Sequence, residues 1–441
     1  MKLLFGLSSN KQKVVSNLLW AVAGKVVMLC GTLVLGIILA RYLGPEKYGL
    51  MNYVISYCYL FQVLACFGLD SIEVREEAAQ PTQYNTIIGT AFWIKVVFGI
   101  ICIGLCISTA AFIGEDLYTI SLIAIYSTYI VFNSFAVIRN YFTSRVENRY
   151  VVLSEIFRTF VGIAIKLTLW VLDCSLTWFV AAFAFDYVLL AGGYITAYRK
   201  KIGPLRRWRF SFPCAKQLLW QSFPLLLTNA AVIIYQRIDQ VMIGTMIDKQ
   251  SVGYFSVATK FVEVMIFIPA TLNTTISPVL VQLREKGEQL YREKAQQFIN
   301  VTVWVSIICS GIMSLLAYWV ILFTFGEQYL PSVAILQVLS FKMAASALSS
   351  SAGTMLIVEH LQRWVFIRDI FGCVVCVVLN WWLLPRYGAI ASAFVSIAAN
   401  VCAGYIADAI IPAYRHLFVR QTRALLLGWR DLIHIRRLLT S

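Results

Sequence analysis

Charged side chains are scarce in this chain, at 13% of 441 residues, and histidine is nearly missing, with three. A soluble protein of this length carries about 25% charged residues to clothe its surface, so a soluble class is excluded. Mean hydropathy of +0.75 and a hydrophobic share of 60% make the chain an integral membrane protein instead. His360, His416 and His434 lie near helix ends or in a basic tail and form no ligand pattern. No secreted disulfide framework is visible either. Most of the eleven cysteines, Cys58, Cys102 and Cys106 among them, fall in apolar runs where a thiol behaves as a small hydrophobe. Cys373 and Cys376 form a CxxC inside FGCVVCVVLNWW, with no metal-ligand partner spaced nearby, so neither metal nor cofactor is expected. The ten-residue alternation of an outer-membrane barrel is also lacking.

What the chain does have is long apolar runs, each near the roughly 20 residues that cross a bilayer as a helix. They fall at 14–40, 48–68, 87–111, 118–138, 150–172, 176–198, 218–244, 254–282, 298–324, 332–358, 365–384 and 389–412. The expected fold is all-α with twelve spans. Loops on one side hold twenty-five Lys and Arg, against four on the other. That bias predicts cytoplasmic N and C termini and explains a net charge of +15 without nucleic acid. The outward loops, such as 114–116, 173–175 and 385–388, are too short to hold a catalytic domain, which argues against an enzyme of envelope assembly.

The longest basic loop, YRKKIGPLRRWRFSFPCAK, divides six spans from six. Transporters are often built from two such bundles with a substrate site between them. The expected organisation is a lobe at 1–198, an inter-lobe loop at 199–217, a second lobe at 218–412 and a basic amphipathic tail at 413–441. The first outward hairpin, IILARYLGPEKYGLMNYVIS, aligns with VMIGTMIDKQSVGYFSVATK, placing Tyr48-Gly49 against Val252-Gly253. Loop and tail both alternate arginine with Leu, Trp and Phe, a pattern suited to the inner membrane surface.

Eight cations lie inside the spans: Lys25, Lys95, Arg158, Lys166, Arg237, Lys260, Lys342 and Arg368. Facing lipid, they would cost roughly 20 to 28 kcal/mol together, so they must face a wet cavity or one another. Arg368, Asp369 and Asp408 are near enough to an interface to snorkel. Glu155 with Arg158, and Lys260 with Glu263, are three apart on one helix face, and Arg237 and Asp239 are placed to join the second pair. Lys25, Lys166 and Lys342 lie near mid-membrane, against Asp186, which either pairs with Lys166 or serves as a proton or sodium site. A cationic midplane suits a phosphate or diphosphate headgroup, and Trp20, Tyr57, Asn229, Tyr235 and Gln236 are suited to pack on sugars there.

The segments ILARYLGPEKYGLMNYV and FGLDSIEVREEA, the second with Arg75, resemble the opening of the polysaccharide-exporter branch of the multidrug/oligosaccharidyl-lipid/polysaccharide (MOP) superfamily. FTFGEQYLPSVAILQVLS resembles that branch's second-lobe hairpin. Within the branch, the chain is most similar to Wzx-type O-antigen flippases of the bacterial inner membrane. The resemblance implies a V-shaped pair of lobes that carries undecaprenyl-diphosphate-linked oligosaccharide units outward, the polyprenyl tail remaining in lipid, with an H⁺ or Na⁺ gradient as drive. A polysaccharide polymerase is an expected partner. The candidate substrate contacts are Lys25, Lys95, Arg158, Lys166 and Lys342, and the candidate ion-coupling residues are Asp186, Asp239 and Glu263. Gly44, Tyr48, Gly49, Arg75 and Gly326 match the branch's motifs and are expected to be structural. The alternatives are a multidrug or cation antiporter of the same superfamily and a membrane-embedded glycan polymerase or transferase.

Overall fold

A computed structural model describes residues 9–361 and 364–433, with side chains at 29 and from 31 to 431 within those bounds. Among the described residues there are helices and connections but no strand. The first helix, α1 (Ser9–Cys66), is broken at Gly44, whose φ of 73° and ψ of 171° end its first arm. Glycine takes such a conformation readily, and Pro45 then opens the second arm, where a missing N–H costs nothing. There follow α2 (Leu69–Ala79), α3 (Tyr84–Ile113), α4 (Leu117–Ser144), α5 (Arg149–Val171) and α6 (Leu176–Lys201). The second half holds α7 (Phe212–Met246), α8 (Lys249–Lys286), α9 (Glu288–Thr324), α10 (Ser332–Val358), α11 (Val365–Tyr387) and α12 (Ala389–Ile410), then α13 (Arg415–Leu427) and α14 (Trp429–Ile433). Ten helical runs among the described residues are long and apolar enough to cross a membrane, with 31–79 counted once, so the protein is multi-pass. α5 is not one of them, because Glu155, Arg158 and Lys166 interrupt its apolar sequence.

Two stretches between the expected spans are helical rather than loops. The 69–86 loop contains α2, and the 283–297 loop is taken up by α8 and α9, which meet at Gly287. The basic segments expected on the membrane surface are partly tucked into the protein. Leu205 and Trp208 pack among Tyr198, Ile88 and Leu218, and Trp208 Nε1 donates to Tyr198 Oη at 3.1 Å, while Phe210 and Phe212 stay exposed. In the tail, Leu417 and Ala424 are buried against Tyr291 and Ile299, and Gln421 Nε2 donates to the Gly404 carbonyl at 2.6 Å.

The helices define two ends of the bundle. At the end bearing the hairpins near 44, 248 and 326, one apolar core runs through both halves, uniting Leu39, Tyr53 and Val54 with Ile243, Phe255 and Leu336. At the end bearing the termini the cores are separate, one around Ile88, Val137 and Tyr198 and another around Tyr291, Ile299 and Met355. The start of α7 packs into the first of these cores through Ala215 and Leu218.

Two glycines set the weld. A Cβ on Gly49 would lie 1.7 Å from the Lys249 carbonyl oxygen, and one on Gly253 would lie 2.1 Å from that of Pro45. The positions aligned between the two hairpins are thus the places where α1 and α8 cross backbone to backbone. Polar contacts close the same end: Lys249 Nζ lies 2.8 Å from Glu115 Oε1, which also accepts from Tyr53 Oη at 2.6 Å. Arg41 donates to the Phe323 carbonyl at 2.6 Å, and Tyr329 Oη to that of Ala40 at 2.9 Å.

Candidate substrate cleft

Two hollows meet at Gln236 on α7. One, of about 460 Å³, is walled by Tyr59, Gln62, Arg139, Arg158, Tyr187 and Asn229; the other, of about 270 Å³, by Tyr235, Arg237, Glu263, Lys342 and Asn400. The Arg237 guanidinium lies 5.6 Å from the Tyr59 ring centre and so reaches across from α7 to α1. The combined surface is polar, aromatic and cationic, at a depth where charge is retained only for use or for pairing.

The intramembrane cations divide by partner. Lys166 is buried against Asp186, 2.7 Å from its Oδ2, with the Phe183 ring 4.4 Å away. Gly162 makes room, since a Cβ there would fall 2.2 Å from the Asp186 carboxylate. Lys95 is held by Asp70 at 2.8 Å and Glu73 at 2.6 Å, and Asn140 donates to both carboxylates. Lys95 therefore lies behind the cleft and reaches it through Asp70, which lines the larger hollow. Arg368, Asp369 and Asp408 do not snorkel: all are buried, and Arg368 Nη1 lies 3.6 Å from Asp408. Arg237 and Lys260 flank Glu263 at 3.5 and 3.7 Å.

Arg158 is different. It lines the larger hollow and, among the described residues, has no carboxylate within 4 Å and an Nε without an acceptor. Lys342 is also without a carboxylate at ion-pair distance; its Nζ donates to Ser396 Oγ at 3.3 Å. The Lys25 and Trp20 side chains lie outside the described residues. Tyr57 is buried with its hydroxyl on Thr109, whereas Asn229, Tyr235 and Gln236 line the cleft as expected from sequence. Tyr59, Gln62 and Tyr187, within the spans, and Arg139, at the start of the basic segment after 138, were not expected there.

Asp239 does not join Glu263. Being two residues from Arg237, it points to the opposite side of α7, into a pocket made with α11 and α12. It is 1% exposed. Asn380 Nδ2 donates to its Oδ1 at 2.7 Å, Cys376 Sγ to the same oxygen at 3.5 Å, and Ser396 Oγ to Oδ2. Ser392 Oγ in turn donates to Asn380 Oδ1 at 2.6 Å. Among the described residues no cation lies within 4 Å of this carboxylate, and its surroundings are neutral oxygen, amide and thiol groups. Cys376 of the CxxC is thus a neighbour of an acid, with Cys373 a free thiol.

A further hollow of about 1040 Å³ lies at the terminus end, where α13 meets α9, away from the cleft. Its Glu359 accepts from His416 at 2.6 Å and lies 3.4 Å from Arg420, tying the tail to the bundle.

The same fold is seen in solved structures of a flippase and of transporters. The lipid II flippase MurJ in an inward closed conformation superposes with a TM-score of 0.74 at 13% identity, covering 94% of this chain and 92% of that one. An inward-facing multidrug resistance MATE family transporter gives 0.71 at 16% identity, covering 91% and 96%. A MOP superfamily transporter from Pyrococcus furiosus, described by the reverse polarity of its binding pocket, gives 0.60 at 15% identity, covering 94% and 96%. The chain itself belongs to the polysaccharide biosynthesis protein family, whose pattern it matches over residues 38–334. No curated protein sequence matches it.

Proposed function

We propose that this protein flips undecaprenyl-diphosphate-linked oligosaccharide units, of O-antigen or a similar surface polysaccharide, from the cytoplasmic to the periplasmic leaflet of the bacterial inner membrane. The observation that carries the proposal is the cleft itself, in which Arg158 and Lys342 stand without carboxylate partners beside tyrosines and amides. Such a surface offers charge-assisted hydrogen bonds to a diphosphate and flat faces to sugars. Family membership supports the polysaccharide class of cargo. The chain would cross the membrane twelve times, α1 counting twice and α5 once, with both termini cytoplasmic and 1–198 and 218–412 as lobes that rock about the hairpin end. Lys25 on α1 would add to the cationic surface, and Lys166 and Lys95 would fix Asp186 and Asp70 at its edge.

Drive would come from H⁺ or Na⁺ at Asp239. A buried acid with neutral donors and no paired cation takes up a cation at far lower cost than it bears a bare charge. Asp186 and Glu263, each already facing cations, are weaker candidates. Through Ser396 the Asp239 pocket touches Lys342, so occupation by an ion would alter the charge that the substrate meets. A polymerase receiving the exported unit is the expected partner, and no catalysis is proposed.

Gene deletion and complementation test the function. Lost surface polysaccharide, with single lipid-linked units trapped on the cytoplasmic leaflet, is the expected result. Intact polysaccharide with altered drug or cation sensitivity would favour the antiporter alternative.

A further inference from the structure

An apolar cavity of about 950 Å³ lies beside the cleft, walled by α7, α8, α10 and the start of α11. Leu225, Pro269, Ala270, Leu356 and Phe366 give it a hydrocarbon surface. Ile266 and Ser346 line both this cavity and the hollow that holds Glu263 and Lys342, so the apolar and charged spaces abut. Its rim carries Phe223, Ile357 and Phe366, all exposed. Polar groups in the wall are turned on the protein: Asn273 donates to Ser350 at 2.7 Å, and Arg368 faces Asp408. Pro224 and Pro269 face the cavity from α7 and α8, and each removes a backbone donor and crowds the carbonyl one turn back.

A groove with an exposed apolar rim that abuts the Lys342 hollow fits a molecule whose hydrocarbon chain is joined directly to an anionic head. We propose that it binds the first isoprenoid units of a polyprenyl diphosphate, with the diphosphate at Lys342. The proposal rests on the flippase reading and departs from the expectation that the whole tail stays in lipid. A phospholipid fits less well, because glycerol separates its phosphate from its chains and would hold the acyl groups back from the narrow junction at Ile266 and Ser346.

Filling the groove tests this. Gly353 lines it, and a Cβ there meets only Arg368 Nη2, at 3.7 Å, so Gly353→Leu is compatible with the fold; Ala270→Phe fills the same space from α8. Purified full-length protein in liposomes would be given one oligosaccharide diphosphate on either an undecaprenyl chain or a single methyl group. Both variants should raise KM for the undecaprenyl substrate by about tenfold, the loss of roughly two buried methylene groups, with kcat and transport of the methyl-linked substrate unchanged. Unchanged KM for the undecaprenyl substrate, or equal loss with both substrates, overturns the proposal. So does native mass spectrometry in which a retained phospholipid resists displacement by undecaprenyl substrate yet is lost from both variants. Wild-type protein that moves neither substrate would instead sink the flippase reading, and the groove with it.

Discussion

Arg158 and Lys342 are the residues on which the cleft's chemistry turns, because the other described intramembrane cations have carboxylates beside them. Arg158→Ala and Lys342→Ala should each abolish export of surface polysaccharide while leaving membrane insertion intact, and Arg158→Lys and Lys342→Arg should be milder. Normal polysaccharide in both alanine variants would remove them from the site. The Lys166–Asp186 pair makes a different prediction. Losing one partner leaves a buried charge alone, at about 3 to 5 kcal/mol, so Lys166→Ala should lower thermal stability in detergent, and Lys166→Met with Asp186→Leu should recover most of it. Sequence depth and spacing were enough to set Lys166 against Asp186 and to gather Arg237, Lys260 and Glu263. They were not enough for Asp239, whose helix face separates it from Arg237, or for Lys95, whose partners come from a helix hidden in a charged stretch.

That helix, α2, shows why elements were harder to read than residues. LDSIEVREEAA looks like a polar loop, yet Leu69, Ile72, Glu73 and Glu77 are its buried face. Two of those four are carboxylates, and Glu73 enters the interior only because Lys95 and Asn140 meet it, so apolar periodicity cannot find the helix. The tail is similar: Leu417 and Leu425 pack on the bundle, with Glu359 holding His416 and Arg420, while Leu426 and Leu427 stay exposed. Glu359 lies in the connection before α11. Burial raises its pKa, but the His416 hydrogen bond and charge and the Tyr291 and Arg420 contacts outweigh that and hold it below the ordinary 4.5. A lowered value means that its stabilising contribution is present above the ordinary range and is lost as pH falls through the folded value. The tail should therefore loosen in acid, seen as proteolysis at α13 increasing below about pH 4, and Glu359→Gln should flatten that dependence. The Gly49–Gly253 crossing makes the third prediction at this scale. Gly49→Leu cannot fit against the Lys249 carbonyl, so spin labels at Lys47 and Glu327 should move apart at the hairpin end; an unchanged distance would show that the crossing is not a required weld.

At the scale of the whole molecule, the all-helical membrane fold was legible from composition and run length, and the likeness of the two hairpins pointed to the place where the halves are joined. The separate cores at the terminus end were not legible, since they share no sequence pattern. The described residues share one core at the hairpin end and form two at the terminus end; on the proposed function, Glu115 and Lys249 are among the bonds that would part for release on the hairpin side. Arg158 and Lys342 line the two hollows of the cleft, and Asp239, the proposed seat of the driving ion, sits one hydroxyl away from Lys342. The most direct test is transbilayer movement of a fluorescent undecaprenyl-diphosphate oligosaccharide in liposomes holding the purified protein, with and without an imposed H⁺ or Na⁺ gradient. The account predicts gradient-stimulated flipping by wild type, none by Arg158→Ala or Lys342→Ala, and flipping by Asp239→Asn that no longer responds to the gradient. Wild-type protein that leaves the lipid-linked oligosaccharide in its starting leaflet under every gradient would contradict it.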